Sequence, residues 1–273
     1  MIADAVLLEE LTPWAVATAS LFGLFVGSFL NVVIWRVPRG ESIVSPPSAC
    51  PRCGHAIRPF DNVPVLSWLL LRGRCRDCRA PISARYPLVE AATGLLFVLV
   101  AVRLGWTWAL PAYLYLAAIG LALALIDLDT HRLPDALVLP AYPVLAVLLA
   151  VASWTADDWP ALLRAVIGGA ILWTLYFVLM AVRSGGMGFG DVKLAGVLGA
   201  GLAWLGWGAL AIGAFSAFLL GGTYAIGLLV SRRAGRESRV PFGPWMVLGA
   251  AVGVAVGEQL WRAYLDAVMV TAG

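Results

Sequence analysis

Charge is scarce in this 273-residue chain. Asp, Glu, Lys and Arg make up 13% of it and hydrophobic residues 61%, with a mean hydropathy of +0.88. A soluble domain carries about 25% charged and about 45–50% apolar residues. A water-soluble fold of this length cannot hide so much apolar surface, so the bilayer is the expected solvent. The net charge of +3 is too small to argue for a nucleic-acid partner. Histidine is nearly absent, with only His55 and His131. No serine beside either forms a recognisable nucleophile motif, so histidine-activated nucleophilic chemistry is poorly supported. Asp4, Glu9 and Glu10 precede the first apolar run, where a cleavable signal would begin with positive charge. There is no internal repeat and no low-complexity tract. No strand leads into a Gly-rich turn and helix, so a soluble nucleotide-binding fold is excluded. Cysteine occurs four times, all between Cys50 and Cys78, which makes one local device rather than a disulfide framework.

What the chain does contain is long apolar runs. A spanning helix needs about 20 predominantly apolar residues to cross the hydrocarbon. Eight such runs are expected, at roughly 14–35, 86–104, 108–126, 136–153, 161–182, 191–206, 208–230 and 244–264. The expected fold class is therefore an all-α polytopic membrane protein with a small zinc-binding loop. It divides into a first transmembrane helix at 1–35, a four-cysteine loop at 36–85 and a seven-helix membrane core at 86–273. Segments six and seven are separated only by Gly206 and Trp207, as in a tight hairpin. Glycines such as Gly196, Gly199, Gly213 and Gly221 suit close helix approach in lipid, where small residues let backbones meet.

Orientation follows the Lys and Arg residues. With the 36–85 loop in the cytoplasm, all but Arg103, Arg164 and Arg262 of the 19 basic residues fall on that side. The opposite loop 154–160, which holds Asp157 and Asp158, has no positive charge. Both termini are then outside and four basic loops inside.

Cys50-Pro-Arg-Cys53 and Cys75-Arg-Asp-Cys78 are two C-x2-C pairs separated by the 21 residues from Gly54 to Arg74. Two such knuckles converge four thiolates on one point, the tetrahedral site that suits a structural Zn2+. Gly54 fits the turn of a knuckle, and the neighbouring arginines offset thiolate charge. Two disulfides or four unconnected thiols are the alternatives, and the cytoplasm disfavours the former. Four sulfur ligands leave no open position for a catalytic water. A segment of about 50 residues is too small for a large core, so a metal staple has a physical reason.

Two acidic stretches lie at the cytoplasmic membrane edge. One is Ile126-Asp127-Leu128-Asp129 through Pro134-Asp135; the other is Gly185-Gly186-Met187-Gly188-Phe189-Gly190-Asp191-Val192-Lys193. Asp127 and Asp191 each adjoin an apolar run, where a carboxylate is costly and marks a functional hypothesis. Two carboxylates in a partly desolvated site cannot both ionise easily, so the pair can share a proton. The ionised member then serves as a base toward water while the protonated member polarises a carbonyl. Helix capping is the competing reading, and Asp129 and Asp135 are good cap or ion-pair candidates. The glycines around Asp191 allow positive φ and close backbone approach, which suits gripping an extended peptide. Lys193 is placed to tune Asp191 or to meet lipid phosphate.

These residues resemble one family, the type IV prepilin peptidases, membrane aspartic proteases with a Gly-x-Gly-Asp motif. Four blocks carry the likeness, in family order: Gly27-Ser28-Phe29-Leu30-Asn31 with Arg36-Val37-Pro38, the paired C-x2-C loop, Ile126-Asp127 through Asp135, and Gly186-Met187-Gly188-Phe189-Gly190-Asp191. The resemblance implies catalytic aspartates at Asp127 and Asp191, with Asp129 and Asp135 outside the pair. It implies removal of the basic leader from prepilins and from pseudopilins of type II secretion, at the cytoplasmic face of a bacterial inner membrane. The cysteine loop is similar to that of bifunctional members, which then methylate the new N-terminal residue with S-adenosylmethionine. Gly73 matches a glycine tied to methylation there. A peptidase-only relative is the first alternative, and a carboxylate-using transporter is the alternative of another class. The middles of the apolar segments are almost wholly free of polar residues, which favours surface chemistry over transport.

Overall fold

The computed structural model describes residues 13–182, 187–231 and 241–272. Gly185 and Gly186 of the second acidic block, Arg183, Arg232, Arg233, Arg236 and Arg239 of the basic loops, and Asp4, Glu9 and Glu10 lie outside the described residues. Among those described there is no strand, only two isolated bridges, Ala49 with Ala56 and Arg74 with Pro81. The helices are α1 (Pro13–Arg36), the short α2 (Leu66–Leu70), α3 (Arg85–Leu104), α4 (Leu110–Thr130), α5 (Asp135–Ala156), α6 (Trp159–Val182), α7 (Phe189–Leu205), α8 (Trp207–Val230), α9 (Gly243–Val252) and α10 (Glu258–Ala272). A π-turn at Gly253–Gly257 joins the last two.

This is a multi-pass membrane protein. Six helices (α1, α3, α4, α5, α6 and α8) are long and apolar enough to cross a bilayer. The other two expected spans are helical but fall short of that measure. α7 has 17 residues, about 26 Å at 1.5 Å per residue. The run at 244–264 is divided by the π-turn. Pro140 and Pro143 sit inside α5 without ending it, as membrane helices tolerate when neighbours re-satisfy the freed carbonyls.

The chain forms two compact units. The first comprises residues 1–110 with 117–122, the second 111–116 with 123–273. Segment 86–104, expected within the membrane core, therefore packs in the first unit. There α1 and α3 meet through glycine. A Cβ at Gly23 would stand 2.8 Å from Gly94 Cα, and one at Gly27 would stand 2.7 Å from Glu90 Cα. The spacing Gly23-x3-Gly27 is the small-residue stripe that lets helix backbones touch in lipid. Asn31 Nδ2 donates to the Tyr86 carbonyl at 3.2 Å. Glu90, buried on α3, accepts the Val65 amide on Oε2 at 2.7 Å and thereby ties the cysteine loop to the helix pair.

In the second unit α7 is central, with apolar and glycine positions buried almost all round, the pattern of a helix enclosed by protein. Its shortness follows, since neighbours rather than lipid surround it. A Cβ at Gly199 would stand 2.7 Å from Gly168 O on α6, so those two helices pack at backbone distance. Arg164 closes the far end of α7 by donating to the carbonyls of Ala203 at 3.0 Å and Trp204 at 2.9 Å.

Candidate active site and metal centre

Asp127 and Asp191 both belong to the second unit, and each stands where a helix begins or ends. Asp127 lies in the last turn of α4, and its own carbonyl accepts the amide of His131 at 2.8 Å. His131 takes a left-handed conformation, φ 52°, which stops the helix. Asp191 lies in the first turn of α7. Both side chains are buried, at 5% and 8% exposure.

Each carboxylate is held by one glycine amide. Gly188 N–H donates to Asp191 Oδ2 at 2.9 Å, and Gly243 N–H donates to Asp127 Oδ2 at 2.9 Å. Among the described residues neither Oδ1 meets a protein donor. The Asp191 contact is a helix cap in form, since the Asp191 amide also donates to Gly188 O at 3.1 Å. An ordinary surface cap has no cause to be buried.

The two acidic blocks meet through Gly190, where a Cβ would stand 2.9 Å from Leu133 Cβ. The positive φ expected at these glycines is absent at Gly188 and Gly190. At Gly190 space, not left-handed backbone, is what glycine provides; at Gly188 a Cβ would meet Asp191 Oδ2 at an ordinary 3.5 Å. Asp129 is exposed. Asp135 pairs with Lys193, Nζ to Oδ1 at 2.7 Å, and Lys193 also lies 4.8 Å from the Phe189 ring centroid. Gly243 was not among the expected site residues. Its only sequence signal is the turn punctuation Pro241-Phe242-Gly243-Pro244 ahead of the last apolar run.

The candidate metal centre lies in the first unit. The Sγ atoms of Cys50, Cys53, Cys75 and Cys78 all fall within 4.8 Å of one another. The Cys50–Cys78 separation is 3.8 Å, which matches the roughly 3.8 Å edge of a tetrahedron with about 2.3 Å Zn–S bonds. The two knuckles repeat one geometry. Gly54 N–H donates to Cys50 O at 2.9 Å and Arg79 N–H to Cys75 O at 3.0 Å, with φ of 71° and 59° at Gly54 and Arg79. The amides of Cys53 and Arg52 draw the Cys50 thiol down to about 6. Cys53 is pushed up to about 12: the His55 amide opposes this, but desolvation and the neighbouring thiols outweigh it. The donor set fits a closed structural zinc site.

Arg76, between the second pair of cysteines, clamps Asp61 with Nε and Nη2 at 2.8 and 2.6 Å and holds its carboxyl below the usual range. Gly73 sits in the same loop at φ 65°, and a Cβ there would stand 2.8 Å from Trp68 Cζ2. Its amide donates to Trp68 O at 2.8 Å and its carbonyl accepts Ile82 N–H at 2.7 Å.

These features define a multi-pass helical membrane protein with a buried carboxylate pair and a separate four-cysteine loop. Residues 21–104 match the bacterial peptidase A24 N-terminal domain and residues 114–226 the type IV leader peptidase family. The chain is 40% identical to the prepilin leader peptidase/N-methyltransferase of Aeromonas hydrophila, over 93% of this chain and 95% of that one. It is 39% identical to the protein of that name from Pseudomonas aeruginosa, over 90% and 92%, and 38% to that from Neisseria gonorrhoeae, over 94% and 96%. No solved structure matches. The chain belongs to the type IV leader peptidase family.

Proposed function

We propose that this protein removes the leader peptide from type IV prepilins and type II secretion pseudopilins, and N-methylates the residue so exposed. The observation that carries the peptidase reading is the buried pair, Asp127 and Asp191, each held through Oδ2 by a glycine amide. The chemistry needs two carboxylates and a water. The ionised member takes a proton from water, whose oxygen attacks the scissile carbonyl carbon. The protonated member donates to the carbonyl oxygen as the tetrahedral intermediate forms. As the C–N bond breaks, the leaving amine takes a proton from the pair while a hydroxyl of the intermediate gives its proton to the other carboxylate and becomes the new carbonyl, so the dyad returns to its singly protonated state. The Oδ1 atoms are the ones left to do this work.

Cys50, Cys53, Cys75 and Cys78 would hold a structural Zn2+, which neutralises the thiolates and orders the loop. Methylation draws on S-adenosylmethionine as the electrophilic methyl donor. The described residues offer it no strand-and-glycine cradle, and Gly73 acts on the loop's shape through its contact with Trp68. The distribution of Lys and Arg supports an orientation that puts the aspartates and the cysteine loop on the cytoplasmic side of a bacterial inner membrane.

The test is to incubate purified protein with a prepilin and isotope-labelled S-adenosylmethionine and to weigh the products. Loss of the leader with one added methyl group is expected. A cleaved, unmethylated product supports the peptidase-only alternative, and an intact prepilin refutes the proposal.

A further inference from the structure

The Asp127 carboxylate is met by an amide 116 residues further along the chain, and the local chemistry of that turn explains why. Gly243 is the first residue of α9 and Pro244 the second. The first amides of a helix have no acceptor within it, and proline has no N–H to give. The next two amides, of Trp245 and Met246, return to the Phe242 carbonyl at 3.0 and 3.1 Å. The Gly243 N–H is therefore the one donor this first turn can offer outward, and Asp127 takes it.

Glycine is not required here by the backbone, since Gly243 is not left-handed. It is required by the carboxylate. A Cβ at position 243 would stand 2.8 Å from Asp127 Oδ2 and 3.3 Å from Cγ. The turn is itself fixed, because the Phe242 ring packs against Tyr176 and Phe218, with centroids 6.1 and 5.4 Å away. The backbone of α8 comes close enough at Gly221 that a Cβ would stand 2.7 Å from Phe242 Cε2.

We infer that the Pro241–Pro244 turn is a third element of the active site, in which Gly243 is a positioning residue that fixes Asp127 through Oδ2 and turns Oδ1 toward the reacting water. It mirrors Gly188 at Asp191. The inference rests on the peptidase reading above.

Gly243→Ala keeps the N–H and an allowed backbone but drives the carboxylate aside. The kcat for prepilin cleavage should fall about 100-fold, the cost typical of a roughly 1 Å misplacement. KM should stay within about twofold, the pattern of a lost contribution to the chemical step rather than to binding. Gly243→Pro, a residue suited to the first helical position, deletes the donor and should give the same split. Gly222→Ala, where a Cβ meets nothing within 4 Å, should cleave as wild type does. Hydrogen exchange over residues 241–246 should accelerate in Asp127→Ala protein, a readout that does not depend on any Gly243 variant folding. Wild-type kcat in Gly243→Ala, a change confined to KM, or unchanged exchange in Asp127→Ala would each overturn the inference. Should Asp127→Asn cleave normally, the dyad assignment itself fails; should it be inactive while Gly243→Ala is fully active, only this inference fails.

Discussion

Gly73 lies under the indole of Trp68, whose Nε1 donates to the Ile82 carbonyl at 3.1 Å, so that glycine, ring and the Pro81–Ile82 segment before α3 are locked as one layer of the cysteine loop. A Cβ at position 73 would meet the ring at 2.8 Å and would also be strained at φ 65°. Gly73→Ala should therefore displace Trp68, and Trp68 fluorescence environment in a variant retaining this tryptophan alone should change. Methyl transfer should fall further than leader cleavage, because Asp127 and Asp191 belong to the other unit. Equal losses of the two activities would place the loop within the peptidase chemistry.

The metal prediction is stoichiometric. Purified protein should carry about one zinc per chain, as a closed tetrad does. A Cys75→Ser/Cys78→Ser variant should lose it, and with it most methylation but less of the cleavage. Elemental analysis with no zinc in wild type, or unchanged zinc in the variant, refutes the site.

Glu90 is the strut between that loop and the helix pair. Glu90→Ala leaves the part-buried Val65 amide without its acceptor, a loss of about 1 kcal/mol. Limited proteolysis should then cut the loop near residues 60–70 faster, with zinc retained at the knuckles. Glu90→Gln keeps an oxygen acceptor and should behave closer to wild type. Identical proteolysis of Glu90→Ala and wild type would remove the strut role.

Much of this is legible in the sequence, for identifiable physical reasons. The two C-x2-C pairs announce themselves because the ligands are local and four thiols at that spacing have few other uses. Asp127 and Asp191 stand out because a carboxylate beside an apolar run is costly. The Gly243–Asp127 contact was not legible: it joins residues 116 apart, and only the packed fold shows which carboxylate an outward amide meets. The Trp68–Gly73 layer was hidden similarly, since a glycine in a loop does not declare the ring above it. Hydrophobic run length also cannot see the π-turn at Gly253–Gly257, or that α7, enclosed by its neighbours, stays at 17 residues.

Leader cleavage by aspartate variants bears most directly on the central claim. Wild type, Asp127→Asn, Asp191→Asn and Asp129→Asn should be purified and matched for folding by zinc content and thermal midpoint. A prepilin is then cleaved under single-turnover conditions and the released leader quantified by mass. Asp127→Asn and Asp191→Asn should each yield no detectable leader, because each removes one member of the acid–base pair. Asp129→Asn, altered at an exposed side chain outside that pair, should retain appreciable activity. Leader release at the wild-type rate by either of the first two variants would contradict the assignment of the dyad.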